Sequence, residues 1–173
     1  MEKDQRFEIV GPVLVNADIF VVRPGGEKPS AVGISQKREY QRRMVAERFG
    51  DRCEAIPMLH AAVPFAFAKH EVDAVVADIT RACSLAGDFY PGGVDGRDLV
   101  TAVLVVKKTV KTDEQYRQFL RQYEDAVREM AEPERLLRLL RTYASEHMSF
   151  GDVNLWRRMQ VRFVSPSASL PSE

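Results

Sequence analysis

Residues 31–85 read AVGISQKREYQRRMVAERFGDRCEAIPMLHAAVPFAFAKHEVDAVVADITRACSL, and the order of apolar runs in this stretch decides the fold. Ala31-Val-Gly-Ile34 is a short apolar run bounded by Pro29-Ser30 and Ser35, the pattern of a buried strand. From Gln36 to Phe49 the spacing predicts a helix. Its apolar face holds Tyr40, Met44, Val45 and Phe49, and Gly50 stops it. Cys53-Glu-Ala-Ile-Pro57 reads as the next strand, with Pro57 at its end. His60 to His70 reads as a second helix with Pro64 in its first turn or at a kink. Asp73-Ala-Val-Val-Ala77 is a third strand, and Ile79 to Leu85 a short third helix. Strand and helix alternate three times, so right-handed crossovers and a parallel sheet are expected. The apolar runs are nearly continuous, as in parallel strands covered on both faces.

Outside this stretch the pattern loosens. Phe7–Val10 and Val13–Val15 are β candidates separated by Gly11-Pro12. Asp18–Arg23 is a third, and it is the expected partner of a longer β segment, Leu99–Val106. Pro91-Gly-Gly-Val-Asp-Gly96 is rich in turn signals but lacks the Lys-Ser/Thr of a phosphate-binding loop, so a mobile loop over a cleft is expected. Thr112 and Gln115 form a capping box ahead of a helix carrying Tyr116, Phe119, Leu120, Tyr123, Val127 and Met130 on one face. Pro133 opens another helix, with Leu136, Leu137, Leu139, Leu140 and Tyr143 on its apolar side. A short helix at Val153–Arg158 and a β run at Met159–Val164 complete the ordered chain. The expected organisation is one α/β domain over 1–164, with a core lobe at about 24–98, crossover strands and C-terminal helices in 7–23 and 99–164, and a disordered Ser/Pro-rich tail at 165–173.

Composition narrows the function. The 173 residues carry 25 basic and 25 acidic side chains, a formal charge of zero, which excludes a strongly basic nucleic-acid binder. At 45% hydrophobic the chain can bury a real core. Cys53 and Cys83 make no disulfide framework, and His60, His70 and His147 have no metal-ligand spacing, so neither metal nor cofactor is expected. The charged start, Met1 to Arg6, leads to no long apolar run. The chain as written is therefore expected in the cytoplasm, or outside it only if its N-terminus is truncated, with no membrane insertion.

The chemistry gathers at strand ends. Ligands of open α/β sheets bind at the carboxyl edge of the parallel strands. Three ends point there: Ser35-Gln36-Lys37, Met58-Leu59-His60 and Asp78-Ile79-Thr80-Arg81. The candidate ligand-binding residues are Ser35, Gln36, Lys37, Met58, His60, Asp78 and Thr80. Each also has a plain structural role, Ser35 and Asp78 as helix caps and Lys37 as a solvated cation. Free N–H groups at a helix beginning after Ser35 would favour an anionic or zwitterionic ligand. No nucleophile elbow or metalloprotease motif is present, so no catalytic residue is assigned.

Val32-Gly-Ile-Ser35, a basic amphipathic helix, Ile56-Pro-Met58, a helix ending Ala68-Lys-His-Glu-Val-Asp73, and Ala74-Val-Val-Ala-Asp78 together resemble the type 2 periplasmic-binding-protein fold, the solute-binding component of ABC transporters. His70 stands where that pattern usually has glycine. Leu104-Val-Val-Lys-Lys108 and the helix from Asp113 look like the return strand and C-terminal helix of the family, and the resemblance covers most of residues 7–164. It implies a three-layer α/β lobe with a parallel or mixed sheet and added C-terminal helices. It implies a non-catalytic solute-binding module whose ligand meets Ser35, Gln36, Met58 and Asp78. The first lobe of the family would lie before Asp18, where only seventeen residues stand, so most of that lobe is expected to be missing. The apolar helix faces would then pack in a homodimer through the C-terminal helices. Two other functions stay open: an enzyme on the same fold, as in the futalosine route to menaquinone, with His60 and Asp78 as acid and base; or a degenerate lobe serving as an interaction or regulatory domain.

Overall fold

In the computed structural model, residues 4–26, 28–93 and 96–166 are described. They fall into two compact units. One comprises Asn16–Leu99 and Arg158–Val161; the other comprises the described residues of Met1–Val15, Val100–Arg157 and Arg162–Glu173. The expected tail lies outside the described residues from 167 on, and so do Val94 and Asp95 of the turn-rich loop.

The first unit is a five-stranded mixed sheet. In chain order it holds β2 (Asp18–Val22), β3 (Ala31–Ser35), α1 (Tyr40–Phe49), β4 (Glu54–Met58), α2 (Val63–Ala68), β5 (Ala74–Asp78), α3 (Ile79–Ala82) and β6 (Asp88–Tyr90). The strand order is β4-β3-β5-β2-β6. β3 runs parallel to β4 and β5, whereas β2 runs antiparallel to both β5 and β6. Alternation along the strands separates two apolar faces. Phe20, Val22, Val32, Ile34, Ala74 and Val76 pack with Met44 and Val45 of α1. Phe20 is fully buried, with the Phe49 ring edge-on at 5.2 Å. Burying such side chains stabilises a core by about 1.5–3 kcal/mol each. On the opposite face the backbone at Gly87 comes close to Val21 and Phe67, the latter from α2. The three layers are therefore α1, the sheet, and α2.

The second unit carries a three-stranded sheet, β7-β1-β8, built from β1 (Phe7–Val15), β7 (Val100–Lys107) and β8 (Arg162–Phe163). Its helices are α4 (Glu114–Met130), α5 (Pro133–Tyr143) and α6 (Phe150–Arg158). Leu136, Leu137 and Leu140 of α5 are buried, and the Trp156 ring of α6 stacks near Phe163 at 6.0 Å. No residue of α4 is buried. No helix among the described residues is long and apolar enough to cross a membrane.

Several local expectations are corrected. The partner of Val100–Lys107 is β1, not Asp18–Val22. Every residue of β2 is buried, so it needs neighbours on both edges and lies between β5 and β6. The alternating burial of β7 suits a half-exposed ribbon. Gly11-Pro12 does not split β1; the strand runs on with register shifts between Ile9 and Gly11 and between Pro12 and Leu14. α1 begins at Tyr40 rather than Gln36, with Glu39 at its N-cap. α4 is capped by Asp113, whose side chain accepts from the Gln115 N–H at 2.9 Å, not by Thr112. A carboxylate one residue nearer the helix satisfies that donor and the helix dipole together. Pro64 and Pro133 do sit in the first turns of α2 and α5, and Gly50, at φ 82°, ends α1.

Candidate functional site

β2 is antiparallel to β5, so its first residue lies at the level of the last residue of β5. Asp18 pairs with Asp78 across the two strands. The carboxyl edge of β3, β4 and β5 thus also receives the start of β2, and two carboxylates meet there. Like charges directly opposite on adjacent strands repel. Each of these two is compensated by its own arginine.

Asp18 is 1% exposed. The Arg38 Nη1 donates to its Oδ1 at 2.6 Å and to its Oδ2 at 2.9 Å. The Tyr40 hydroxyl and Gln41 Nε2 also donate to Oδ2, the latter at 2.7 Å. Burial, and then the Asp18 charge, push the Tyr40 phenol above its ordinary pKa, so it stays a donor. Gln41 turns its Oε1 back to accept from the Ser35 N–H at 2.8 Å. Asp18 therefore anchors the turn between β3 and α1. It holds the Arg38 guanidinium at the sheet edge, where the side chain is about one-third exposed.

Ser35 does not cap α1. Its Oγ lies 2.8 Å from His60 Nδ1. On the other side of the ring, His60 Nε2 is 3.5 Å from Asp78 Oδ2, within ion-pair range but longer than a good hydrogen bond. Asp78 is a true cap of α3: its Oδ1 accepts from the Arg81 N–H at 3.2 Å and from the Thr80 hydroxyl. The Arg81 Nε stands 3.3 Å from Asp78 Oδ2, and its Nη1 donates to the His60 carbonyl at 3.0 Å. Burial lowers the His60 pKa, Arg81 and Arg38 push the same way, and Asp78 and Asp18 oppose them. These influences together favour the neutral imidazole. A carboxylate beside Nε2 selects the tautomer with its proton there, which leaves Nδ1 to accept from the Ser35 hydroxyl.

Ser35, His60, Asp78 and Thr80, expected together from strand-end position, are brought together by these contacts. Gln36 and Lys37 are on the same turn but exposed. Met58 pairs in register with Ser35, and its Sδ and Cε lie beside Gly33, near Val75. The expected anion site at a helix start after Ser35 is absent, because α1 begins five residues later. Asp18, Arg38, Tyr40 and Gln41 were not legible as site residues. A carboxylate opening the all-apolar run Asp18-Ile-Phe-Val-Val22 was the one available signal. Of the turn-rich loop, Gly92 is buried against the Asp18 carbonyl, where an added Cβ would lie 2.0 Å from that oxygen. Only glycine fits this approach.

The sequence matches no protein-family model and no curated protein. Solved structures do match. The ligand-binding component of an ABC-type import system from Staphylococcus aureus, with zinc bound, superposes with a TM-score of 0.65 at 10% identity, over 95% of this chain and 62% of its own. The alkanesulfonate-binding protein from Xanthomonas axonopodis pv. citri, bound to MOPS, superposes with a TM-score of 0.59 at 15% identity, over 90% of this chain and 59% of its own. The chain has the type 2 periplasmic-binding-protein fold. It spans about three fifths of the length of these two structures.

Within this periplasmic-binding-protein fold, the edge cluster has the residue types of a serine relay but not its working parts. Ser35 is 3% exposed. The Ser35 N–H is held by Gln41, and the Gln36 N–H donates to the Met58 carbonyl at 2.9 Å. Neither backbone donor beside the hydroxyl is left to stabilise an oxyanion. What the cluster does present is two partly exposed arginine side chains and a partly exposed His60. That is a donor surface suited to an oxyanion. Among the described residues, no group of three His, Cys, Asp or Glu side chains is placed to hold a metal ion.

Proposed function

We propose that this chain binds a small anionic or zwitterionic solute at the carboxyl edge of β3, β4 and β5, without chemistry on it. The observation that carries the reading is the placement of Arg38 and Arg81, each held by one carboxylate with its side chain partly exposed. Bidentate recognition of a carboxylate or sulfonate uses this planar fork. The bound ligands named for the two matching structures, zinc and MOPS, differ in charge. The guanidinium donors here favour the sulfonate kind. In this reading His60 and Thr80 orient the solute, and Asp78 receives any ammonium it carries.

A second element of the proposal is a homodimer through the C-terminal helices. Its support is α4, whose apolar residues Tyr116, Phe119, Leu120, Tyr123, Val127 and Met130 are all at least partly exposed. An apolar face of that length marks an association surface. Native mass spectrometry of gently purified protein tests both elements. The expected species has the mass of two chains plus a discrete small molecule that is lost in Arg81→Ala. A monomer at tens of micromolar contradicts the dimer, and an adduct retained in full by Arg81→Ala contradicts the site.

A further inference from the structure

The charges at the sheet edge are already matched before any solute arrives. Arg38 is neutralised by Asp18 and Arg81 by Asp78, and the exposed Lys37 is solvated. His60 stands between the two pairs, facing Arg81 and Asp78 from β5 and α3, Arg38 and Asp18 from the α1 turn and β2, and the Ser35 hydroxyl from β3. With the imidazole neutral, these four charges sum to zero. A monoanion entering this cluster adds one uncompensated negative charge in a partly buried place, and among the described residues there His60 is the group that can answer it near neutral pH.

We propose that a monoanionic solute bound at Arg38 and Arg81 is taken up together with one proton, which lodges on His60. This rests on the solute-binding reading above. The proton adds to the imidazole nitrogen at Nδ1 and breaks no bond. Nδ1–H then donates to Ser35 Oγ, and the Ser35 hydroxyl hydrogen turns away from the ring. Ser35 can accept or donate at the same 2.8 Å separation, so it serves both protonation states. Asp78 lies beside Nε2–H in either state. Before binding, burial and the two guanidinium groups keep the proton off the ring. The anion offsets the guanidinium field, so binding raises the affinity of His60 for a proton. By linkage, a proton raises the affinity for the anion equally.

Methanesulfonate is the probe, because it stays a monoanion throughout the range and any pH dependence belongs to the protein. Calorimetric titration in buffers of different ionisation enthalpy counts the protons taken up. The expected result is uptake approaching one proton near neutral pH, and affinity about a hundredfold higher near pH 5.5 than near pH 8. His60→Asn keeps an amide where Nδ1 stood. It should lose both proton uptake and the pH dependence of binding, whatever affinity remains. Ser35→Ala removes the acceptor for Nδ1–H and should reduce proton uptake and flatten the pH dependence. Flat affinity with no uptake in the wild type, with binding abolished in Arg81→Gln, overturns the proton coupling and leaves the solute site standing. Absent binding, or binding unchanged in Arg81→Gln, overturns the solute site itself. Circular dichroism of each variant confirms that it is folded.

Discussion

Asp18→Ala is expected to destabilise the protein by about 2–4 kcal/mol and to abolish solute binding. Removing one partner of a buried ion pair usually costs about 3–5 kcal/mol, because the other charge is left stranded. Here Arg38 is about one-third exposed and can swing into water, which lowers the figure. The remaining cost falls on Tyr40 and Gln41. Both lose the acceptor for a buried or half-buried donor, and Gln41 is 1% exposed. Once Gln41 is released, its contact with the Ser35 N–H loosens, and the turn that carries Arg38 loses its anchor. Urea unfolding gives the stability term. A cost under about 1 kcal/mol would mean that the carboxylate does not organise the turn. Asp18→Asn keeps the shape and one acceptor, so it should fall between the two.

The other large effect is expected at Asn16. Its backbone has φ 59°, and it is 3% exposed. Its Nδ2 donates to Asp98 Oδ1 at 2.8 Å and to the Gln160 carbonyl at 3.1 Å, and its Oδ1 accepts from the Leu99 N–H at 2.8 Å. Its own N–H donates to the Leu99 carbonyl. One side chain therefore ties together three separate segments of the first unit: the lead into β2, the end of 96–99, and 158–161. Asn16→Leu adds a left-handed backbone penalty of about 1–2 kcal/mol to the loss of three buried contacts. The total is expected to exceed about 3 kcal/mol. Asn16→Gly separates the causes, since glycine accepts the backbone and loses only the contacts. Equal unfolding free energies for the two variants would contradict the backbone part.

The sequence carried most of the first unit. Apolar runs at 31–34 and 74–77 with helical spacing between them specify crossovers, and strand-end position then places Ser35, His60 and Asp78 along one edge. What stayed hidden depends on long-range pairing. Nothing within Asp18–Val22 says that it inserts antiparallel between β5 and β6, so its carboxylate could not be placed opposite Asp78. Tyr40 fits the apolar face of α1 and does pack on that core, while its hydroxyl reaches Asp18. Met58 and His60 follow the strand period: Met58 pairs in register with Ser35 and lies beside Gly33, and His60, two residues on, lies beside Ser35.

The most direct test of the central claim is an amide and arginine side-chain shift map of the protein titrated with methanesulfonate. The account predicts that the largest changes fall on Ser35, His60, Arg81 and the Arg38 Nε–H, and that Arg81→Gln removes them. Changes concentrated along α4 or α5, with the sheet edge silent, would contradict it.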